Sequence, residues 1–186
     1  MENHPQVATG NTNIVATNFL NNSPQYDSYL TPKLITIDFT TQINTKVFYD
    51  AVDGIVFNDG SVKSIKDFKL SFEPDLNGNA HYKGFFNNKH HINFDIGDYE
   101  MTIANIRALT IHEGYGHGVK GYHDDNKNHY KAYQASIDSR YWESTTYKFK
   151  YHAVTQMWTY YYYEVGNQRM PVKYQAEYDK YNKYRR

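Results

Sequence analysis

The chain predicts an α+β fold: a small antiparallel sheet packed on a helix that bears a histidine pair, followed by a second long helix. Three observations carry this. Between Leu34 and Ile96, apolar and polar residues alternate with the two-residue period of strands. From Tyr99 onward the apolar residues recur at helical spacing instead. At the end of the first such helix stands His112–His117, which reads HEGYGH.

The elements follow in order. Residues 1–30 are rich in Asn, Thr, Ser and Pro with few apolar positions, and read as a flexible tail or linker ahead of one domain over 31–186. Ile35, Ile37 and Phe39 alternate with polar residues, as do Phe68, Leu70 and Phe72. Val47–Tyr49 and Ile55–Phe57 read as short strands, with Asn58–Asp59–Gly60–Ser61 as a turn. Asp75–Asn79 is similar to a calcium loop, but its glycine comes too early and Phe86 stands where the bidentate glutamate belongs, so it reads as a turn. His81–Phe86 and His90–Ile96 form a hairpin through Asn87–Asn88–Lys89, with Ile92, Phe94 and Ile96 on the inner face.

Asp98 then caps a helix running from Tyr99 through Ile103, Ile106 and Leu109 into the histidine motif. Gly118–Asn128 is a polar loop. The second helix starts near His129, and its apolar stripe includes Tyr133, Ile137, Tyr141, Val154, Trp158 and Val165. Gly166–Asn167 stops it, and Pro171 opens a short terminal helix.

Composition narrows the function. Twenty basic and twenty acidic residues cancel, so no global charge points to nucleic acid, a membrane surface or an acidic partner. No cysteine is present, which removes disulfides, thiolate zinc sites and thiol nucleophiles together. No apolar run reaches the roughly 20 residues that span a bilayer, and membrane insertion is not expected. The start, MENHPQVATGNTN, lacks the basic and apolar stretches of a signal peptide. Twenty tyrosines and ten phenylalanines read chiefly as core and half-buried surface, since tyrosine buries an apolar body behind a wet tip.

The motif carries the chemistry. HExxH places two histidines four apart on one helical face, with the glutamate as general base. Here the second histidine comes one residue late. Positions five apart lie roughly 140° apart around a regular helix, so His112 and His117 could not share a metal there. One π-type turn absorbs the extra residue and returns both to one face, and such turns gather at functional sites. Gly114 and Gly116 lie inside this turn, each costing about 1 kcal/mol against alanine in a helix. They suit a backbone that must widen or be closely approached. Glu113, beside a ligand, is placed to take a proton from water that the metal polarises. The expected ion is Zn2+, and the bland alternative is an ordinary helix end in a chain with nine histidines.

HExxGH, carried by His112, Glu113, Gly116 and His117, resembles the zinc motif of the dipeptidyl-peptidase III family over six residues. A longer stretch, from "HEGYGHGVKGYHDDNKNHYKAY" through "YWESTTYKFK", is similar to the zincin-type metallopeptidase toxin domains that end bacterial RHS-repeat and related polymorphic toxins. That likeness covers roughly the last 90 residues. It implies a zincin-like domain secreted or delivered into target bacteria within a larger toxin, a peptide or protein substrate, and a cognate immunity protein. Zincin edge strands hold substrate as an added strand, a role that falls here to the strand near His90–Ile96. The rival readings are a peptidoglycan amide hydrolase using the same zinc site, a non-catalytic module stabilised by zinc, and a plain metal-free domain.

The motif does not supply the third ligand. His123, His129, Glu143 and Glu164 are the candidates. His123 has the metzincin gap but sits among Asp124, Asp125, Asn126 and Lys127, as in an open loop. Glu143 suits a gluzincin but could simply pair with Arg140 or Lys150. Glu164 lies far along the chain. His129 opens the second helix with Tyr133 and Ile137 at four-residue steps, so its side chain points toward the core. An antiparallel return over the motif brings it near His117, and the toxin-domain likeness runs through "NHYKAY". His129 is the expected ligand, with His123 as runner-up and a simple helix-start role as the alternative.

Overall fold

The computed structural model describes residues 45–73, 79–95, 102–123, 125, 127–166 and 168–182. The tail over 1–30, the alternation at Ile35–Phe39, most of the turn at Asp75–Asn79, Ile96, and the Asp98 cap with Tyr99 lie outside these residues.

The fold is α+β. Helix α1 (Thr45–Val52) opens the described chain. Val47–Tyr49 is therefore not a strand. Its Val-Phe-Tyr composition favours strands locally, but Val47, Phe48, Ala51 and Val52 are all buried, and that i, i+1, i+4, i+5 spacing is one face of a helix. β1 (Ile55–Val56) and β2 (Val62–Lys63) pair antiparallel around the Asn58–Ser61 turn. A 3-10 turn over Ile65–Asp67 leads into β3 (Phe68–Glu73). β4 (Ala80–Phe86) and β5 (Lys89–Asp95) form the expected hairpin. Its turn is Asn87–Asn88, both at positive φ (51° and 58°), as a two-residue type I′ connection requires.

The larger sheet has the order β3-β5-β4 and is mixed: β5 runs parallel to β3 and antiparallel to β4. This corrects the expectation that the strand near His90–Ile96 docks substrate. β5 is central and both its edges are taken, whereas β4 lies at an edge among the described residues. On the inner face Phe68, Leu70, Ile92 and Phe94 are buried. Phe48 of α1 packs there against Phe72 and Phe94, with ring centroids 4.6 and 5.3 Å apart.

Helix α2 (Ile103–Thr110) starts at Thr102, whose hydroxyl accepts the Asn105 N–H at 3.1 Å. It continues without a break into a π-helix over Ile111–Val119. The expected single second helix is instead two: α3 (His129–Ile137) and α4 (Tyr147–Val165), separated by a 3-10 turn at Trp142–Ser144. The break is held from outside. Asn105, buried in α2, accepts from the Thr146 N–H at 3.0 Å and donates to its hydroxyl at 3.2 Å. Thr146 in turn caps α4 by accepting from Phe149 N–H. Tyr141 leaves the helical stripe to accept the Val56 N–H at 2.8 Å. Gly166, at φ 77°, ends α4, and α5 (Val172–Tyr181) follows Pro171.

Candidate metal centre

The π-helix is the local answer to the one-residue excess in the motif. The Lys120 N–H reaches back five residues to the Tyr115 carbonyl at 2.9 Å, the π pattern. His112 and His117 consequently share a face, with their Nε2 atoms 3.1 Å apart. Gly121, at φ 65°, then turns the chain, and the Tyr122 N–H reaches the Gly116 carbonyl at 3.0 Å. The turn brings the Tyr122 carbonyl onto Nδ1 of His117, where it accepts the ring N–H. That hydrogen bond puts the proton on Nδ1 and leaves the Nε2 lone pair facing His112.

The glycines are explained by close approach. A Cβ on Gly114 would stand 3.1 Å from the Phe57 ring, so its absence seats the helix on the sheet. A Cβ on Gly116 would stand 2.8 Å from the Ala132 Cβ and 2.9 Å from its Cα. Backbone-level contact there draws α3 against the π-helix, and His129, three residues before Ala132, comes over the motif on the same helical face.

His129 completes the group. Its Nε2 lies 3.3 Å from Nε2 of His112, and His112, His117 and His129 offer nitrogens all within 4.8 Å of one another. These three could hold a metal ion. The two separations from His112, 3.1 and 3.3 Å, are those of a bound ion: two ligands at about 2.0–2.1 Å from a tetrahedral zinc stand roughly 3.3–3.4 Å apart. Other candidates stay out of this group. His123 stacks flat on the His117 ring, with centroids 4.9 Å apart. Glu143 is exposed and pairs with Lys150 at 3.5 Å, one of the two partners its sequence neighbourhood offered. Glu164 accepts the Tyr130 N–H at 3.4 Å, at the first turn of α3.

Glu113 points into the same space. Its two carboxylate oxygens stand 3.9 Å from Nε2 of His112 and of His117 respectively. Burial pushes the carboxyl well above the usual carboxylate range, while the Tyr82 backbone N–H, donating from β4, pulls the other way. A cation among the histidines would lower it further. Burial also holds His112 well below the usual imidazole range, aided by the charges of His117, His129 and His152. His112 is therefore neutral, the form that binds metal, and its contact with Glu113 is not an ion pair.

Neither a protein-family model, nor a curated protein, nor a solved structure matches this chain. The site is thus read on its own geometry.

Three participants escaped the sequence. Tyr133 packs edge-on against His112, centroids 4.3 Å apart, and stacks on His129 at 5.3 Å. Its place four residues after His129 was the one signal available. Tyr160 of α4 lies against His129 at 4.2 Å. The Tyr82 N–H belongs to a strand whose neighbourhood with the helix no local pattern records.

Proposed function

We propose that this domain is a zinc-dependent metallopeptidase and acts as a toxin or effector piece of a larger secreted or delivered bacterial protein. The observation that carries the catalytic reading is the convergence of three histidine nitrogens on one point with a buried carboxylate beside them. Three protein ligands rather than four are the donor set of a catalytic zinc, which keeps one position open. His112, His117 and His129 would hold the ion. When bound, zinc supplies Lewis acidity, polarising a carbonyl and making water acidic near neutral pH.

The chain's own residues supply the rest. Glu113 accepts the proton of the attacking water on its carboxylate and returns it to the leaving nitrogen. The Tyr82 N–H orients that carboxylate, and the Tyr122 carbonyl keeps the His117 ring in register. Tyr133 and Tyr160 pack on the His129 ring and fix its orientation. β4, whose Tyr82 already reaches Glu113, is among the described residues a sheet edge beside the site, and an extended peptide laid along it favours a peptide over a glycan-linked amide. The toxin role rests on the likeness of the "HEGYGHG" to "YKFK" stretch to polymorphic-toxin domains. Its readout is growth arrest on expression in the target compartment, relieved by Glu113→Gln.

Glu113→Gln is also the decisive chemical test. The variant should retain one zinc per chain by elemental analysis and lose peptide hydrolysis by at least about a hundredfold, the scale of a general base. Full activity in the variant would remove Glu113 from the chemistry, and protein purified without chelator that carries no stoichiometric metal would remove the zinc reading.

A further inference from the structure

The end of the sheet where the β4–β5 hairpin turns is built differently from the rest of the surface. Phe85 and Phe86 stand just before the turn and are 54% and 56% exposed. Consecutive residues of a strand face opposite sides of the sheet. Accordingly the Phe85 ring lies 5.0 Å from His90, on the helix side, and the Phe86 ring lies 5.4 Å from His91, on the other. Phe85 pairs with His90, which pairs with Phe68 at the start of β3, so the 3-10 turn before β3 belongs to this same end. Gly118 packs against His90 and Tyr82, which brings Val119 and Lys120 there too. Val62, Ile65 and Val119 add exposed apolar surface.

The charge at this end is cationic, with Lys63 and Lys120 lying over the rings of Phe57 and Tyr115. Lys63, Lys66, Lys83, Lys89 and Lys120 take part in no salt bridge among the described residues. The nearby acids are surface groups held by local backbone donors: Asp59 accepts the Ser61 N–H at 2.9 Å, Asp67 the Ser64 N–H at 2.6 Å, and Asp53 the Ile65 N–H at 2.8 Å. Asp59 also attracts Lys63 and Lys120, but five lysines against these three aspartates leave this end positive. The chain's net charge of zero conceals this local excess.

We propose that this hairpin end docks the domain on an anionic lipid surface, with Phe85 and Phe86 entering the headgroup–acyl boundary and the lysines resting on the headgroups. Two phenylalanines on opposite faces of one strand decide the occupant. A flat protein surface would cover only one of them, whereas a fluid apolar phase surrounds the tip and takes both. Lysine stems reach back along apolar surface to keep their charges at the interface. The contact is peripheral: no helix among the described residues is long and apolar enough to cross a membrane. It does not depend on the metal reading.

The test is co-sedimentation of the purified chain with vesicles of phosphatidylglycerol and phosphatidylcholine in equal parts, against phosphatidylcholine alone. Binding is expected to the anionic vesicles, falling as salt rises. Phe85→Ser with Phe86→Ser should lower the partition coefficient at least about tenfold, as expected from losing buried aromatic surface. Lys63→Ala or Lys89→Ala should each lower it about fivefold, which is ~1 kcal/mol per basic residue. The lysine variants should melt with the parent, while the double phenylalanine variant should stay folded with a lower melting temperature, since Phe85 packs on His90. No binding to anionic vesicles at low salt overturns the proposal, as does unchanged binding by the double phenylalanine variant. A dimer in solution that the double variant makes monomeric also overturns it, since the pair would then lie between two copies.

Discussion

Two places in this molecule bury histidine, and they bury it differently. His90 sits in an aromatic nest, with Phe57, Phe68 and Phe85 at centroid distances of 6.0, 5.8 and 5.0 Å. Its Nδ1 faces the Tyr82 hydroxyl at 3.4 Å, and the backbone of Gly118 closes over it. One residue earlier on the same π-helix, His117 turns its Nε2 toward two other imidazoles and a carboxylate. Burial, as the first cause, lowers the imidazoles of His90 in the nest and of His112 in the cluster. Burial therefore does not distinguish a metal site from a packed ring; convergence of lone pairs does. His90 has rings around it and the Tyr82 hydroxyl facing its Nδ1, while the cluster has three nitrogens and Glu113 aimed at one point.

The largest effect should come from breaking that convergence. His112→Ala, His117→Ala or His129→Ala should each weaken zinc binding by more than the roughly 10–100-fold that losing an outer-shell partner costs. His90→Leu should leave affinity unchanged. Chelator competition measures both, and equal affinities for the parent and His129→Ala would take His129 out of the ligand set.

A smaller loss is expected from Gly116→Val, which touches no ligand. The added side chain meets Ala132 at backbone level and pushes α3, with His129, away from the π-helix. Affinity should fall about 10–100-fold, the range for disturbing what orients a ligand. Overpacking should also cost about 1–3 kcal/mol in stability, read by denaturant titration. A variant that loses stability but keeps parental affinity would show that the approach of α3 does not set the site.

The smallest effect is in the pH dependence of the metal-free protein, and its sign follows from the direction of the shifts. His112 and His90 both have folded-state values lowered from the ordinary 6.5. The unfolded chain then binds protons more tightly, so their contribution is present above about pH 6.5 and is lost as pH falls below it. His112, more deeply depressed, should account for the larger part. Glu113, raised by burial, runs the other way, and His152, lowered by burial, runs with the histidines. In the Glu113→Gln background, melting temperature against pH in chelator should therefore decline on the acid side, and adding His90→Leu should remove only a minor share. Each kcal/mol corresponds to about 2–4 °C in a chain of this size. An acid limb that His90→Leu abolishes would reverse the ranking.

What was legible in the sequence is what local geometry dictates. HEGYGH demanded a π-type turn because helix pitch leaves no other way to put positions five apart on one face. Asn87–Asn88 marked a tight hairpin because both residues tolerate positive φ. The strand-like character of Phe68–Phe72 and the helical character of Ile103–Leu109 followed from their periods, and the terminal helix from Pro171 ahead of it. Val47–Tyr49 misled because strand propensity is weak beside the burial of a helical face. The division of α3 from α4 was hidden because Asn105, some 40 residues away, holds Thr146.

His129 stood between these cases. Its stripe with Tyr133 and Ile137 showed which way it would point, but not what it would meet. That was decided by the contact of Gly116 with Ala132, a distance between two helices that no single segment encodes. The same holds for Tyr82, whose N–H reaches Glu113 because β4, beyond β5 in the sheet, lies against the π-helix. Periodicity and turn chemistry act over a few residues and can be read along the chain. A site of three imidazoles and one carboxylate needs atoms from separate segments within a few ångströms, and only packing brings them there.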